Sequence, residues 1–196
     1  AGLIVAARDN RIGVVGVAPD ALVLAIRAVD ACGAGTMSTT VRAIRWAAGL
    51  DVAGAPLNPT PARIINLSLG SAAATCPTAY QDAIDEVTAL GVIVVTSAGD
   101  GRTDVAGWTP ANCAGTITVT ATDQLGERAA TANTGAEVDI AAPGVDVYST
   151  DRDPLSTKGK NGSWPAGVAR RSGTSSAAPR GAGALARLAA GAAALA

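Results

Sequence analysis

The sequence predicts an α/β fold: a single domain over residues 1–196, with a mostly parallel central sheet flanked by helices. Three observations carry this. Short apolar runs rich in Val, Ile and Thr alternate with stretches of helical periodicity, the order that lays strands side by side and covers both faces of the sheet with helices. The length suffices for a sizeable buried core. The composition, 48% hydrophobic and 16% charged with 23 glycines and no Phe, implies a core of Ala, Val, Ile and Leu with close backbone approach.

Taken in order, residues 1–7 form an apolar helical run without a cap. Residues 21–29 read as a buried strand. Residues 38–49 read as a helix capped by Ser38, with Val41, Ile44, Ala47 and Ala48 as its apolar stripe. A strand is expected at 63–69, a helix at 77–90, and strands at 91–96 and 117–122. Short strands at 138–142 and 146–150 flank a turn at Pro143-Gly144. The proline-bearing stretch 51–61 and the stretch 151–171 read as surface loops. An Ala/Gly-rich helix closes the sequence. No internal repeat or second domain is visible.

A net charge of −1, with no basic run and no aromatic platform, gives no reason to expect nucleic acid. Residues 181–196 are apolar but too short to span a bilayer and carry Arg187, so a buried helix is expected and no membrane partner. Cys32, Cys76 and Cys113 are an odd set. On the residues alone they are buried free thiols or a pair plus one, and their spacing does not resemble a zinc site.

The string Ser172-Gly173-Thr174-Ser175-Ser176-Ala177-Ala178-Pro179 places a hydroxyl nucleophile where a small-residue loop turns into a helix. Free N–H groups of the first turn and the positive helix end favour an oxyanion there. Gly173 lets the backbone approach a substrate, and Pro179 suits an early helical position where its missing N–H costs little. The same string also reads as a capped, buried helix without chemistry. It resembles the nucleophile motif of the subtilisin-like serine proteases, usually Gly-Thr-Ser-Met-Ala-x-Pro, with Ser176 in place of Met.

Further segments resemble landmarks of that family, in the family's order. Residues 1–7 are similar to the end of its His-Gly-Thr-His-Val-Ala-Gly segment, and 10–19 to its calcium loop and the lead into the next strand. Residues 65–70 resemble the strand that pairs with substrate, 94–99 the strand end lining the primary specificity pocket, and 139–144 a further landmark. The resemblance implies a three-layer subtilisin-like fold and a secreted or periplasmic endopeptidase acting, as a monomer, on polypeptides. Ser175 would be the nucleophile. A peptide would add as a strand beside Ser68, Leu69 and Gly70, with a side chain entering a pocket lined by Ser97, Ala98 and Gly99. The small residues there argue for medium or large apolar side chains in the substrate. Without the family, Ser68-Leu69-Gly70 is an ordinary strand ending in a turn.

Three departures and two further implications follow. The chain contains no histidine, so the base that a serine nucleophile needs is absent from it, as is the aspartate that orients that base. The resemblance places both upstream of Ala1, so these residues are expected to be part of a longer domain and inactive alone. The family has Asn after Gly99, donating its amide to the oxyanion. Here the position is Asp100, acceptor-only when ionised, and Asp-Gly also suits an ordinary turn without chemistry. Arg180 stands where relatives commonly have His, outside the triad. The resemblance also implies a Cys76–Cys113 disulfide, leaving Cys32 over, and a structural calcium to which the Asn10 side chain and the carbonyls of Ile12 and Val14 would contribute. The chemistry itself requires no cofactor.

Two other readings compete. One is a non-catalytic subtilase-like binding or structural domain, favoured by Asp100. The other is a Ser–Lys hydrolase using Lys158 or Lys160, disfavoured because their Gly-rich loop reads as solvated and a lysine base must be buried to be neutral.

Overall fold

Val94 and Val95 are neighbours on one strand and both fully buried, which requires a sheet covered on its two faces. The structure, a computed structural model, describes residues 1–11, 13–152 and 166–193. Ile12, Lys158 and Lys160 lie outside the described residues. The elements are α1 (Gly2–Val5), α2 (Met37–Ala47), β1 (Ile64–Leu67), β2 (Ser71–Ala72), α3 (Thr78–Ala89), β3 (Ile93–Ser97), a 3-10 turn (Val105–Gly107), β4 (Trp108–Thr109), β5 (Thr116–Thr122), β6 (Ile140–Pro143), β7 (Val147–Arg152), β8 (Ala166–Arg171) and α4 (Thr174–Ala193).

The central sheet is four-stranded in the order β1-β3-β5-β6, and every pairing in it is parallel. Alternation along the strands divides the core. Ile65, Leu67 and Val94 face α2 and α3, where Val41, Ile44, Ala83, Ile84 and Val87 meet them. Val95, Val119 and Ala121 face the other way, onto Ala177, Ala178 and Ala182 of α4. Alanines on that helix let it lie close to the sheet, which is how a chain without Phe fills its core. The result is a three-layer α/β architecture, as the sequence predicts.

Most elements sit where periodicity places them, and all four stripe residues of α2 are buried. Residues 21–29, expected as a strand, form none. Residues 22–29 make no backbone–backbone hydrogen bond among the described residues, and Leu22 is 100% exposed. A strand exists only if a neighbour completes its ladder. Here a groove of 150 Å³ lies between Leu24 and Ile26 on one side and Ile64 and Leu67 of β1 on the other.

Three local expectations are also corrected. Thr36, not Ser38, caps α2: its Oγ1 accepts from the Thr39 N–H at 3.1 Å, so the helix starts two residues earlier. The stretch 151–171 is not all loop, because β8 pairs antiparallel with β7. Acids on one strand side face arginines on the other, with Asp146–Arg170 at 3.0 Å and an Asp151–Arg171 pair, and Arg170 also stacks on Tyr148. That pairing depends on a cross-strand partner that no local pattern reveals. Pro179 lies in the second turn of α4, not its first, so the N–H it lacks is the one that would donate to the Ser175 carbonyl.

Cys76 and Cys113 form a disulfide with Cα atoms 5.0 Å apart, tying the start of α3 to the loop after β4, while Cys32 is free and exposed. The bond closes a loop with a sequence separation of 37. Replacing both cysteines by alanine is therefore expected to lower unfolding free energy by about 4 kcal/mol in a denaturant titration. Cys32→Ser should change it by less than about 0.5 kcal/mol.

Candidate active site

Helix α4 begins at Thr174, and the residue before it, Gly173, has no side chain with which to cap it. The cap comes from 74 residues away. Asp100, in the loop after β3, accepts from the Thr174 N–H with Oδ1 at 3.0 Å and Oδ2 at 3.2 Å. The Thr174 hydroxyl donates to Oδ2 at 3.1 Å and accepts from the Gly99 N–H at 3.0 Å. A carboxylate at the positive end of a helix is favourably placed. Close approach needs two glycines in the left-handed region. Gly99 has φ +93°, Gly173 has φ +131°, and a Cβ on Gly173 would stand 2.9 Å from Asp100 Oδ2.

The loop carrying Asp100 is braced from behind by Asn133, which is fully buried. Its Oδ1 accepts from the N–H groups of Gly101 and Thr103 at 2.9 and 3.0 Å. Its Nδ2 donates to the Ala98 carbonyl at 2.9 Å, and its own N–H to the Gly99 carbonyl at 2.9 Å.

Ser175 follows Thr174 and is exposed in an otherwise buried first turn. Its hydroxyl lies 3.4 Å from the Ser68 carbonyl oxygen, to which it can donate. Its own N–H has no acceptor among the described residues and stands at the positive helix end. The geometry joins a solvent-facing hydroxyl, a free backbone donor beside it, and the chain just past β1.

Of the other residues singled out from the sequence, Ser68 and Leu69 are half-buried and Gly70 is exposed. Ser97, Ala98 and Gly99 are buried at the end of β3. Gly70 and Gly99 approach one another across the Trp108 indole. Asn10 lies in an exposed loop in which Asp9, Arg11 and Gly13 have positive φ. Val14 lines a separate groove with Leu3, Tyr148 and Arg180, whose guanidinium pKa is lowered by burial. No group of three Asp, Glu, His or Cys side chains gathers among the described residues. One amide and two carbonyls fall short of the six to eight oxygens calcium takes, so these residues alone do not fit a complete site.

Sequence reasoning missed Thr174, Asn133 and Trp108 as site residues. Thr174 stood inside the motif, unassigned. Asn133 sits in a Thr-Ala-Asn-Thr-Gly stretch that looks like any turn, and nothing local marks it. Thr174→Val is expected to leave the buried Gly99 N–H without an acceptor and to cost about 1–3 kcal/mol in unfolding free energy, with Thr174→Ser recovering most of it.

The chain matches the model of the subtilase family (Peptidase S8) over residues 1–195. It is 40% identical to an extracellular protease of Xanthomonas campestris pv. campestris, across 95% of this chain and 31% of that protein. It is also 40% identical to subtilisin DY of Bacillus licheniformis, across 74% of this chain and 50% of that one. A protease from Pseudoalteromonas arctica PAMC 21717 superposes with a TM-score of 0.84 at 35% identity, covering 93% of this chain and 54% of its own. The chain thus spans between about a third and a half of the relatives it matches. Family match, identity and superposition agree with the fold built above, and the chain belongs to the subtilase family.

Proposed function

We propose that this chain carries the nucleophile and the substrate-binding strand of a secreted serine endopeptidase, whose histidine base and orienting aspartate come from outside these 196 residues. One observation supports this above all. Ser175 and Ser68, 107 positions apart, are brought to 3.4 Å at the N-terminus of a helix. Relatives named extracellular proteases, and a disulfide suited to an oxidising compartment, support secretion.

An extended peptide lies beside Ser68, Leu69 and Gly70, held by main-chain hydrogen bonds. Ser175 Oγ attacks the scissile carbonyl carbon while its proton passes to the external imidazole. The oxyanion accepts from the Ser175 N–H. The tetrahedral intermediate collapses, the C–N bond breaks, and the leaving amine takes the proton from the imidazolium. Water then adds to the acyl-enzyme by the same route in reverse and releases the acid. Asp100 contributes no donor to the oxyanion, since its oxygens accept from Thr174.

That last feature favours a second reading, a subtilase-like domain that binds peptides without cleaving them. The two diverge under test. The chain alone should hydrolyse no peptide. Joined to an upstream segment carrying the aspartate and histidine, it should cleave, with Asp100→Asn raising kcat by about a hundredfold and KM little. That magnitude is the one known for such a donor in subtilisin itself. If the completed chain stays inert with Asp100→Asn, yet binds peptide, the binding-domain reading replaces the enzyme.

We propose calcium as a structural ion only in the completed domain, with the Asn10 side chain and the carbonyls of Ile12 and Val14 as part of its shell. Titration calorimetry on this chain alone should show no tight stoichiometric calcium binding.

A further inference from the structure

The two glycines that would open a substrate pocket are filled from within the chain. Trp108 starts β4, which pairs antiparallel with β2 directly after Gly70, so that Ala72 stands opposite Trp108. Its indole packs beside Ala98, Val105 and Ala111. A Cβ on Gly70 would stand 3.0 Å from the indole Cε2, and one on Gly99 2.7 Å from the same atom. At Gly70 the indole Nε1 would be nearer still, at 2.4 Å, and at Gly99 Asn133 Nδ2 would crowd as well, at 2.5 Å, so the ring takes up space directly beside both glycines. The indole N–H lies in the same gap, buried and without an acceptor among the described residues. An unpaired buried donor is uncommon, and a ligand that supplies an acceptor removes its penalty.

We propose that Trp108 sets the side chain this site accepts. Its ring occupies the volume between the ends of β1 and β3, so the peptide residue placed there is short, of Ala or Ser size, and Ser is favoured because its hydroxyl can accept from the indole N–H. This rests on the docking of peptide beside Ser68, Leu69 and Gly70 argued above. It reverses the expectation of medium or large apolar side chains, which counted the small residues of the pocket walls and not the tryptophan between them.

Binding serves as the test, because it does not require the missing base. The full chain, labelled with nitrogen-15, is titrated with acetyl-Ala-Ala-Ala-X-amide, where X is Ala, Ser or Phe. Backbone amide shifts at Ser68–Gly70 report docking, and the Trp108 indole resonance reports the pocket. Ala and Ser peptides should bind at least about tenfold tighter than Phe, with the Ser peptide shifting the indole resonance most. Trp108→Ser should reverse the Ala-to-Phe order. Trp108→Tyr, which keeps an aromatic ring against Ala98 and Val105, should retain the size limit and lose the preference for Ser over Ala. Equal binding of Phe and Ala by the unaltered chain, or an order unmoved by both variants, overturns the role of Trp108 while leaving peptide docking intact. Silence at Ser68–Gly70 with every peptide overturns the docking reading itself, and this inference with it.

Discussion

The site is organised by one buried hydroxyl. A threonine side chain has a single proton and two lone pairs, and Thr174 uses the proton on Asp100 and a lone pair on the Gly99 N–H. Its backbone N–H is held by the same carboxylate. These contacts join the C-terminal end of β3 to the first turn of α4, adding directional bonds to the packing of Val95 against Ala177 and Ala178. Because Ser175 is the next residue, the position of its hydroxyl follows from where Thr174 is held. Because Thr174 has no solvent exposure, water does not compete for these bonds.

The same arrangement sets two demands on residue 100 against each other. As the cap of α4 it is well served by a carboxylate, whose two oxygens take both Thr174 donors and whose charge suits the helix end. For the oxyanion of the proposed reaction it is poorly suited, because an ionised carboxylate has nothing to donate. An amide could serve each role with one of its two atoms; Asp100 serves only the first. Asn133 makes the compromise rigid, since four hydrogen bonds to a fully buried amide and its N–H leave the loop little freedom to turn Asp100 elsewhere.

The ribbon that carries Trp108 is held by further contacts of its own. The β2–β4 ribbon that presents Trp108 is held by Asn112, whose Nδ2 donates to the Ala73 and Ala106 carbonyls at 3.0 and 2.9 Å. Behind it, Gln81 of α3 exchanges two hydrogen bonds with Ala114, beside the Cys76–Cys113 bond. Covalent and polar ties thus do at the rim what apolar packing does beneath the sheet.

The sequence by itself determined the class of fold and the order of its layers, because burial on two faces leaves a mark on every residue of a strand or helix. Runs such as 91–96 and the stripe through Val41, Ile44 and Ala47 need no partner to be recognised. It also determined the serine turn that opens α4, the disulfide pairing through family likeness, and the absence of histidine, which is a matter of counting. It misjudged residues 21–29 and 166–171, where strand formation depends on whether another backbone lies alongside. It could not see that Asp100 caps a helix 74 residues away, that Asn133 braces the loop, or that Trp108 fills the space two glycines leave. Those facts are decided by distances between segments far apart in the chain. Local pattern records what a residue prefers; only the packed structure decides which group it meets.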